Sequence, residues 1–354
     1  MDKISQRKVY SGVDFFKFVA AVLVVVLHAV ETSSWYPCEV KYVLTRFAVP
    51  FFLIASGFFF ACGLQRTDDP KAYFVRYEKN LLLLYAIWAF VLYLPFTLNT
   101  YLQKYAGESI WRIAVYICRR LFVIGPGPYW YLMAMICAAA FLYLCHRSGS
   151  KTLLIIGIVT GFLLEIVYSC FQGLLGGIPV FGKLFSYISL VFSWEFNFIM
   201  FGIPFMGVGY LIAKCDINWK MRTAIIIFVA STLLRVVEYN LSRLFPNGFW
   251  QENMISIAFI PQSIAFFMMG KNWQPKFGRE RSLYFRSLST CIYLTHAIFL
   301  YEILDPLLSA IPGFPAFADW MIGPKVILTL VMCMLVFVIV KKINNKHLNR
   351  VFHG

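Results

Sequence analysis

Apolar runs of about 20 residues recur along the 354-residue chain and are separated by short polar stretches. A helix needs about 20 mostly apolar residues to cross the hydrocarbon core of a bilayer. The pattern therefore predicts an all-α, polytopic integral membrane protein with about ten transmembrane helices. We place these spans near residues 13–31, 47–64, 80–98, 129–146, 152–172, 195–213, 221–241, 253–271, 283–304 and 324–341.

One further stretch, SIWRIAVYICRRLF at 109–122, mixes apolar residues with arginines. Its arginines are Arg112, Arg119 and Arg120. A helix with one apolar and one basic face lies in the plane of a membrane interface. We therefore expect an amphipathic interfacial helix here, not an eleventh span.

Composition places the chain outside the class of soluble proteins. Hydrophobic residues make up 60% of it and charged residues 14%, against about 45–50% and 25% in soluble domains. We find no long hydrophilic segment, Pro-rich linker or low-complexity tract. Residues 1–354 are therefore expected to form a single membrane domain.

The net charge of +15 would suggest a nucleic-acid partner in a soluble protein. In a membrane protein, cytoplasmic loops collect Lys and Arg, and this explains the charge better. The basic residues concentrate in alternate loops, on the side of the N-terminus. We therefore expect both termini in the cytoplasm, a multi-pass location in the inner (cytoplasmic) membrane and no nucleic-acid partner.

The nine cysteines form no Cys-x-x-Cys pair and have no metal-ligand spacing. Most of them lie in or beside apolar runs, where cysteine behaves as a small hydrophobic residue. No metal site, disulfide framework or tightly bound cofactor is expected.

Helix 1, with the sequence DFFKFVAAVLVVVLH at 14–28, carries polar residues on one face. Lys17 and His28 are about 20° apart around the helix axis, and Asp14 is about 40° from His28. Asp14 and His28 are separated by about 21 Å along the axis. His28 could act as a general base, with Glu31 as an orienting carboxylate, or could only hydrogen-bond another helix.

These residues resemble the first-helix signature of acyltransferase family three, a family of ten-span membrane acyltransferases. That signature is Asp-x-x-Arg-x-x-Ala followed by a histidine fourteen residues after the aspartate. Asp14, Ala20 and His28 match it, and Lys17 replaces the usual arginine. Lysine keeps the charge but lacks the bidentate fork.

Helix 2, RFAVPFFLIASGFFF, resembles the family's apolar run ending in Ser56-Gly57-Phe58. Its Val-Pro-Phe-Phe form is similar to a branch that includes O-acetyltransferases and the membrane domain of vancomycin-resistance serine racemases.

Three later elements resemble the family in the same order. YFVRYEKN holds Arg76 and Lys79 where the family tends to have Arg-x-x-Arg. GPYWYLMAMI matches a Trp-Tyr-Leu element, and STCIYLTHAIFL matches a Tyr-Leu-x-His element. The last two elements contribute Trp130, Tyr131, Tyr293 and His296.

The resemblance implies transfer of an acyl group from cytoplasmic acyl-CoA, with acetyl-CoA as the expected donor, to a hydroxyl of a cell-surface or lipid-linked glycan. His28 would be the base, helped by Glu31. The acyl-CoA site would use Asp14, Lys17, Arg76 and Lys79. The acyl path or acceptor site would use Arg46, Ser56, Gly57, Trp130, Tyr131, Tyr293 and His296.

Each assignment has a simpler alternative. Arg76 and Lys79 also satisfy the positive-inside rule, and Arg46 could be an interfacial anchor. Ser-Gly pairs in membrane helices more often mark close packing. Trp130 and Tyr131 could belong to an aromatic belt, and His296 could be a satisfied helix contact.

Two other functions stay open. One is a transporter of a small polar solute such as L-serine, which the racemase-associated branch suggests. The other is an exporter or flippase of a polysaccharide precursor. A homodimer is also left open.

Overall fold

The computed structural model describes residues 9–30, 40–95, 98, 102–103, 105–192, 197–244, 257–313, 320–343, 345 and 352. Every regular element in this part of the chain is a helix, in agreement with the all-α prediction.

Seven helical segments within these ranges are long and apolar enough to cross a membrane. Their length and composition agree with a multi-pass membrane protein. They are Ser11–Ala29, Val43–Arg66, Gly127–Ser148, Lys151–Cys170, Met221–Leu241, Arg279–Ser309 and Ile322–Ile343.

The other three predicted spans, near 80–98, 195–213 and 253–271, overlap helical elements that are not among these seven. Pro70–Tyr85 continues as a π-helical segment, Ala86–Tyr93. Phe198–Lys214 is a shorter apolar helix, and Phe259–Asn272 has 14 residues. Each of these three predicted spans includes residues outside the described ranges. The total of ten therefore stays a prediction, as does the side of each terminus.

The α-helices used below are numbered in chain order. They are α1 (Ser11–Ala29), α2 (Ala48–Arg66), α3 (Pro70–Tyr85), α4 (Ile110–Arg119), α5 (Trp130–Ser148), α6 (Lys151–Cys170), α7 (Gln172–Leu175), α8 (Pro179–Phe192), α9 (Ile203–Lys214), α10 (Met221–Leu244), α11 (Phe259–Asn272), α12 (Arg279–Ala297), α13 (Asp305–Ser309) and α14 (Ile322–Ile343).

Side-chain caps define several helix starts. The Asp69 side chain accepts a hydrogen bond from the backbone N–H of Ala72, and Pro70 occupies the first turn of α3. Ser109 and Ser150 cap α4 and α6 in the same way. Capping satisfies N–H groups that have no partner within the helix.

Helix α2 lies at the centre of the bundle and packs closely on α9. A Cβ atom on Gly57 would lie 1.9 Å from the carbonyl oxygen of Met206, and one on Gly209 would lie 1.9 Å from that of Ile54. Each helix therefore needs glycine where the other backbone approaches it, as small residues allow in membrane helix pairs.

Helix α4 exposes large apolar side chains. Ile110 and Trp111 are about four-fifths exposed, and Val115 is also exposed. Arg112 pairs with Glu108 at 2.9 Å. This mixture of exposed apolar and charged groups agrees with the predicted amphipathic character of the helix, and its location at a membrane interface stays a prediction.

Candidate active site

His28 occupies the last turn of α1, where its ring meets two groups from the far end of the chain. Its Nδ1 lies 2.7 Å from the hydroxyl of Tyr301. Its ring centroid lies 5.3 Å from that of His296, with the planes tilted by 30°. Two imidazoles and a phenol thus converge on one point.

His296 is fully buried near the end of α12. Its Nδ1 lies 2.7 Å from the carbonyl oxygen of Tyr293 and 3.1 Å from that of Ile292. Its Nε2 is buried and has no hydrogen-bond partner among the described residues. A buried polar atom without a partner costs about 1–3 kcal/mol, so it calls for an explanation.

A line of side chains runs from the middle of α2 to these histidines. The Ser56 hydroxyl lies 3.2 Å from that of Tyr131. The Tyr131 and Tyr293 rings have centroids 5.2 Å apart, and those of Tyr293 and His296 are 6.0 Å apart. Five predicted site residues, counting His28, therefore lie in contact with one another.

Hydrogen bonds from two tyrosine hydroxyls join α12 to the start of α5 beside this line of side chains. Tyr293 donates to the carbonyl oxygen of Pro128 at 2.6 Å. Tyr129 donates in the other direction, to the carbonyl of Leu294 at 2.7 Å. Trp130 is buried beside this junction, with its ring 5.8 Å from that of Phe201. The two strong bonds hold the aromatic groups in place.

Asp14 lies at the other end of α1 and is fully buried. Arg286 of α12 binds both carboxylate oxygens, at 2.9 and 3.0 Å, and Ser282 donates to one of them at 2.5 Å. A buried carboxylate needs such partners because desolvation of an unpaired charge costs several kcal/mol. Asp14 thus ties α1 to α12.

Lys17 is partly buried one turn further along α1. Its ammonium group lies 4.7 Å from the centre of the Phe59 ring. A cation over an aromatic face is attracted by the ring quadrupole.

Arg76 and Lys79 are both exposed on α3. Together with Lys71 and Asp69 they line a surface groove of about 560 Å³. Three cations against one carboxylate give this groove a positive charge, which suits phosphate groups.

Arg46 precedes α2 and is nearly buried, close enough for its charge to act on Arg235. Arg235 donates to Gln262 at 2.8 Å and to the carbonyl oxygen of Val43 at 3.0 Å. This polar cluster joins α10 and α11 to the segment before α2. Arg46 therefore lies beside this cluster.

Glu31 lies outside the described residues, so its predicted role as the partner of His28 stays a prediction. Gly57 lies at the contact between α2 and α9 described above, one residue from Ser56.

Tyr301 and Arg286 are not among the predicted site residues. Tyr301 lies in the π-helical segment Ile298–Leu304 that continues α12. At 100° per residue it would lie about 140° around the helix from His296. The wider turn of a π-helix changes that angle, and such segments often mark functional sites.

Arg286 is one of many basic residues near predicted loops, and no local pattern distinguishes it. A buried acid such as Asp14 nevertheless requires a cationic partner, and that requirement could have prompted a search along the other predicted helices.

The acyltransferase domain family, acyltransferase family three, matches residues 10–342. The chain belongs to this family. Membership supports a membrane acyltransferase in general. No solved structure matches the chain.

Two curated relatives of this acyltransferase family three protein are both described as amino-acid racemase, from Enterococcus faecalis. One is 23% identical over 302 residues, which cover 81% of this chain and 40% of the relative. The other is 24% identical over 231 residues, which cover 64% of this chain and 31% of the relative. The chain thus spans about two-fifths or less of the length of these relatives. The match agrees with the racemase-associated branch suggested by helix 2.

Proposed function

We propose that this chain is a membrane O-acyltransferase. It moves an acyl group, expected to be acetyl, from cytoplasmic acyl-CoA to a hydroxyl of a cell-surface or lipid-linked glycan. The observation that carries the proposal is the meeting of His28, His296 and Tyr301 at one end of a helix with the family's signature.

His28 serves as the general base. It accepts the proton of the acceptor hydroxyl as that oxygen is acylated. Over the whole transfer, the carbon–sulfur bond of the thioester breaks and CoA leaves. Such positioned bases contribute about 10²–10⁴-fold to a rate. Tyr301, at 2.7 Å from Nδ1, orients the ring so that Nε2 faces the acceptor.

The basic groove on α3 is the proposed binding site for the CoA phosphates. Arg76, Lys79 and Lys71 supply the charge, and exposed side chains can adjust to a flexible ligand. The carboxylate of Asp14 is already bound by Arg286 and Ser282. We therefore assign Asp14 to holding α1 and α12 together at the donor end.

The aromatic line from Ser56 to Tyr293 is the proposed path of the acyl group toward the histidines. Its side chains are largely apolar, with hydroxyls that are bound to neighbours. Such a lining accepts an acyl chain and excludes water from the thioester.

Labelled acetyl-CoA tests the proposal directly. Membranes containing the native protein should incorporate label into envelope glycan, and membranes with His28→Ala should not. The matched control is His146→Ala, because His146 also bonds a tyrosine hydroxyl, that of Tyr210, at 3.1 Å. Equal incorporation with all three proteins would remove His28 from the mechanism.

A second candidate is transport of a small polar solute such as L-serine. The two relatives are described as amino-acid racemases, and that description concerns amino acids and not glycans. Proteoliposomes that take up labelled serine, from a protein that transfers no acetyl to any glycan, would support transport over acyl transfer.

We further propose that residues 1–354 form a single domain of ten transmembrane helices in the inner membrane, with both termini in the cytoplasm. Cysteine labelling of single loop positions from each side of the membrane tests the arrangement. Labelling of both termini from outside would reject it.

A further inference from the structure

The hydrogen bonds of His296 determine which of its ring nitrogens carries the proton. Both partners of Nδ1 are backbone carbonyl oxygens, those of Ile292 and Tyr293. A carbonyl oxygen only accepts hydrogen bonds. Nδ1 must therefore be the donor, and the neutral ring keeps its lone pair on Nε2.

That lone pair is directed away from α12. Nδ1 faces the backbone of its own helix, three and four residues back, so the distal Nε2 points into the bundle. Nε2 is buried and meets no hydrogen-bond donor among the described residues. A buried imidazole held in one tautomer, with its other nitrogen left open, is arranged as a nucleophile.

His28 is arranged differently. Its ring is partly exposed, and its Nδ1 contacts the Tyr301 hydroxyl. The partly exposed ring of His28 can take the proton of an acceptor hydroxyl that enters from the open side. The two rings are close, with centroids 5.3 Å apart, so a group held on one is within reach of chemistry at the other.

We propose that the acyl group is carried by Nε2 of His296 before it reaches the acceptor, and that His28 acts as base only in the second transfer. The inference rests on the proposed acyltransferase function and divides its chemistry between the two histidines.

In the first step, the Nε2 lone pair of His296 attacks the thioester carbonyl carbon. A nitrogen–carbon bond forms, the carbon–sulfur bond breaks, and CoA leaves as the thiolate, which takes a proton from solvent. The product is an acyl-imidazolium whose Nδ1–H still donates to the Tyr293 carbonyl. Covalent catalysis of this kind divides one difficult step into two.

In the second step, the acceptor oxygen attacks the acyl carbon while His28 takes the hydroxyl proton. The bond between Nε2 and carbon breaks and returns the lone pair to His296. His28 then releases its proton to solvent. Burial of His296 protects the acyl-imidazolium from water between the steps.

The inference has a test that needs no acceptor. An acyl-enzyme exchanges radiolabelled CoA into acetyl-CoA when no acceptor is added, because its first step is reversible. We expect exchange by the native protein in detergent and by His28→Ala to agree within about threefold, because the base acts in the second step. His296→Gln should lower exchange at least about 100-fold, and His146→Gln should leave it unchanged.

A second measurement covers the case in which His296→Gln folds poorly. His28→Ala should accumulate label from [¹⁴C]acetyl-CoA on the protein itself, on the peptide that contains residue 296. Neutral hydroxylamine should release this label, as expected for an acyl-imidazole. Label on the peptide that contains residue 28 of the native protein would overturn the inference.

The remaining outcomes separate the inference from the proposed function. If His296→Gln incorporates acetyl into glycan as fast as the native protein, the inference is wrong and the acyltransferase proposal stands. Loss of exchange in His28→Ala with retention in His296→Gln would make His28 the carrier. A native protein with neither exchange nor incorporation would overturn both proposals.

Discussion

The polar groups at the two ends of α1 differ in how fully their hydrogen bonds are satisfied. At one end, the buried carboxylate of Asp14 accepts three hydrogen bonds, from Arg286 and Ser282. At the other, His28 meets a phenol and a second imidazole, and the Nε2 of that imidazole has no hydrogen-bond partner among the described residues.

The difference distinguishes a structural role, which stabilises the packing of helices, from a catalytic role. A satisfied buried charge stabilises one arrangement of helices, and its loss destabilises the fold. A buried lone pair that is left open lowers stability but can accept a proton or an acyl group. Substitutions at the Asp14 end should therefore change stability, and those at the His28 end should change rate.

The largest effect is expected at His28. His28→Ala should lower acetyl incorporation by about 10²–10⁴-fold, the contribution of a general base. Its melting temperature in detergent should stay close to that of the native protein. A large fall in melting temperature with normal incorporation would reverse the comparison between the two ends.

Asp14→Ala should destabilise the fold by about 3 kcal/mol, because Arg286 loses its partner in a partly buried site. Thermal unfolding in detergent measures this loss. The double variant Asp14→Ala with Arg286→Met should be less destabilised than the sum of the single variants. Loss of acetyl incorporation at unchanged stability would place Asp14 in the chemistry instead.

A smaller effect is expected at Tyr301. Tyr301→Phe removes the hydroxyl that contacts His28 and should lower acetyl incorporation about tenfold, the size of one hydrogen bond. The matched control is Tyr210→Phe, which removes the hydroxyl beside His146 and should leave the rate unchanged. Equal effects of the two variants would mean that the Tyr301 contact only stabilises the fold.

The smallest effect is expected at Glu78 on α3. Glu78 is an acid, like Asp14, but it is only partly buried, and in the described part of the chain its carboxylate lacks comparable hydrogen-bond donors. Its Oε1 is buried with no hydrogen-bond partner among the described residues, and burial raises the pKa of its carboxyl from 4.5 to about 7. At pH values between about 4.5 and 7, the unfolded chain binds fewer protons at Glu78 than the folded protein does. Stability therefore falls as pH rises through this range.

Glu78→Gln should remove this pH-dependent loss of stability. The loss should amount to less than about 1 kcal/mol, because the Glu78 side chain is partly exposed. Melting temperatures of the two proteins across this pH range measure the difference. Parallel curves for the native protein and Glu78→Gln would show that the carboxyl does not titrate there.

Much of the site could be predicted because helix geometry is local. Spacing alone placed Lys17 and His28 on one face, and motif order identified Ser56, Tyr131, Tyr293 and His296, which the fold brings into one line. The partners of His28 and Asp14 could not be predicted in this way. Tyr301 and His28 are 273 residues apart along the chain, and Arg286 and Asp14 are 272 apart.

The sequence by itself determined the class of protein, since long apolar runs can satisfy their backbone groups in lipid only as helices. It also determined the family, through motifs whose residues are near one another along the chain. Only the tertiary structure decided which polar groups are satisfied and which are open. That outcome depends on helix packing and on one π-helical segment, Ile298–Leu304, whose turn no regular 100° periodicity describes. For that reason Asp14 became a contact between helices, while His296 kept an open nitrogen beside His28.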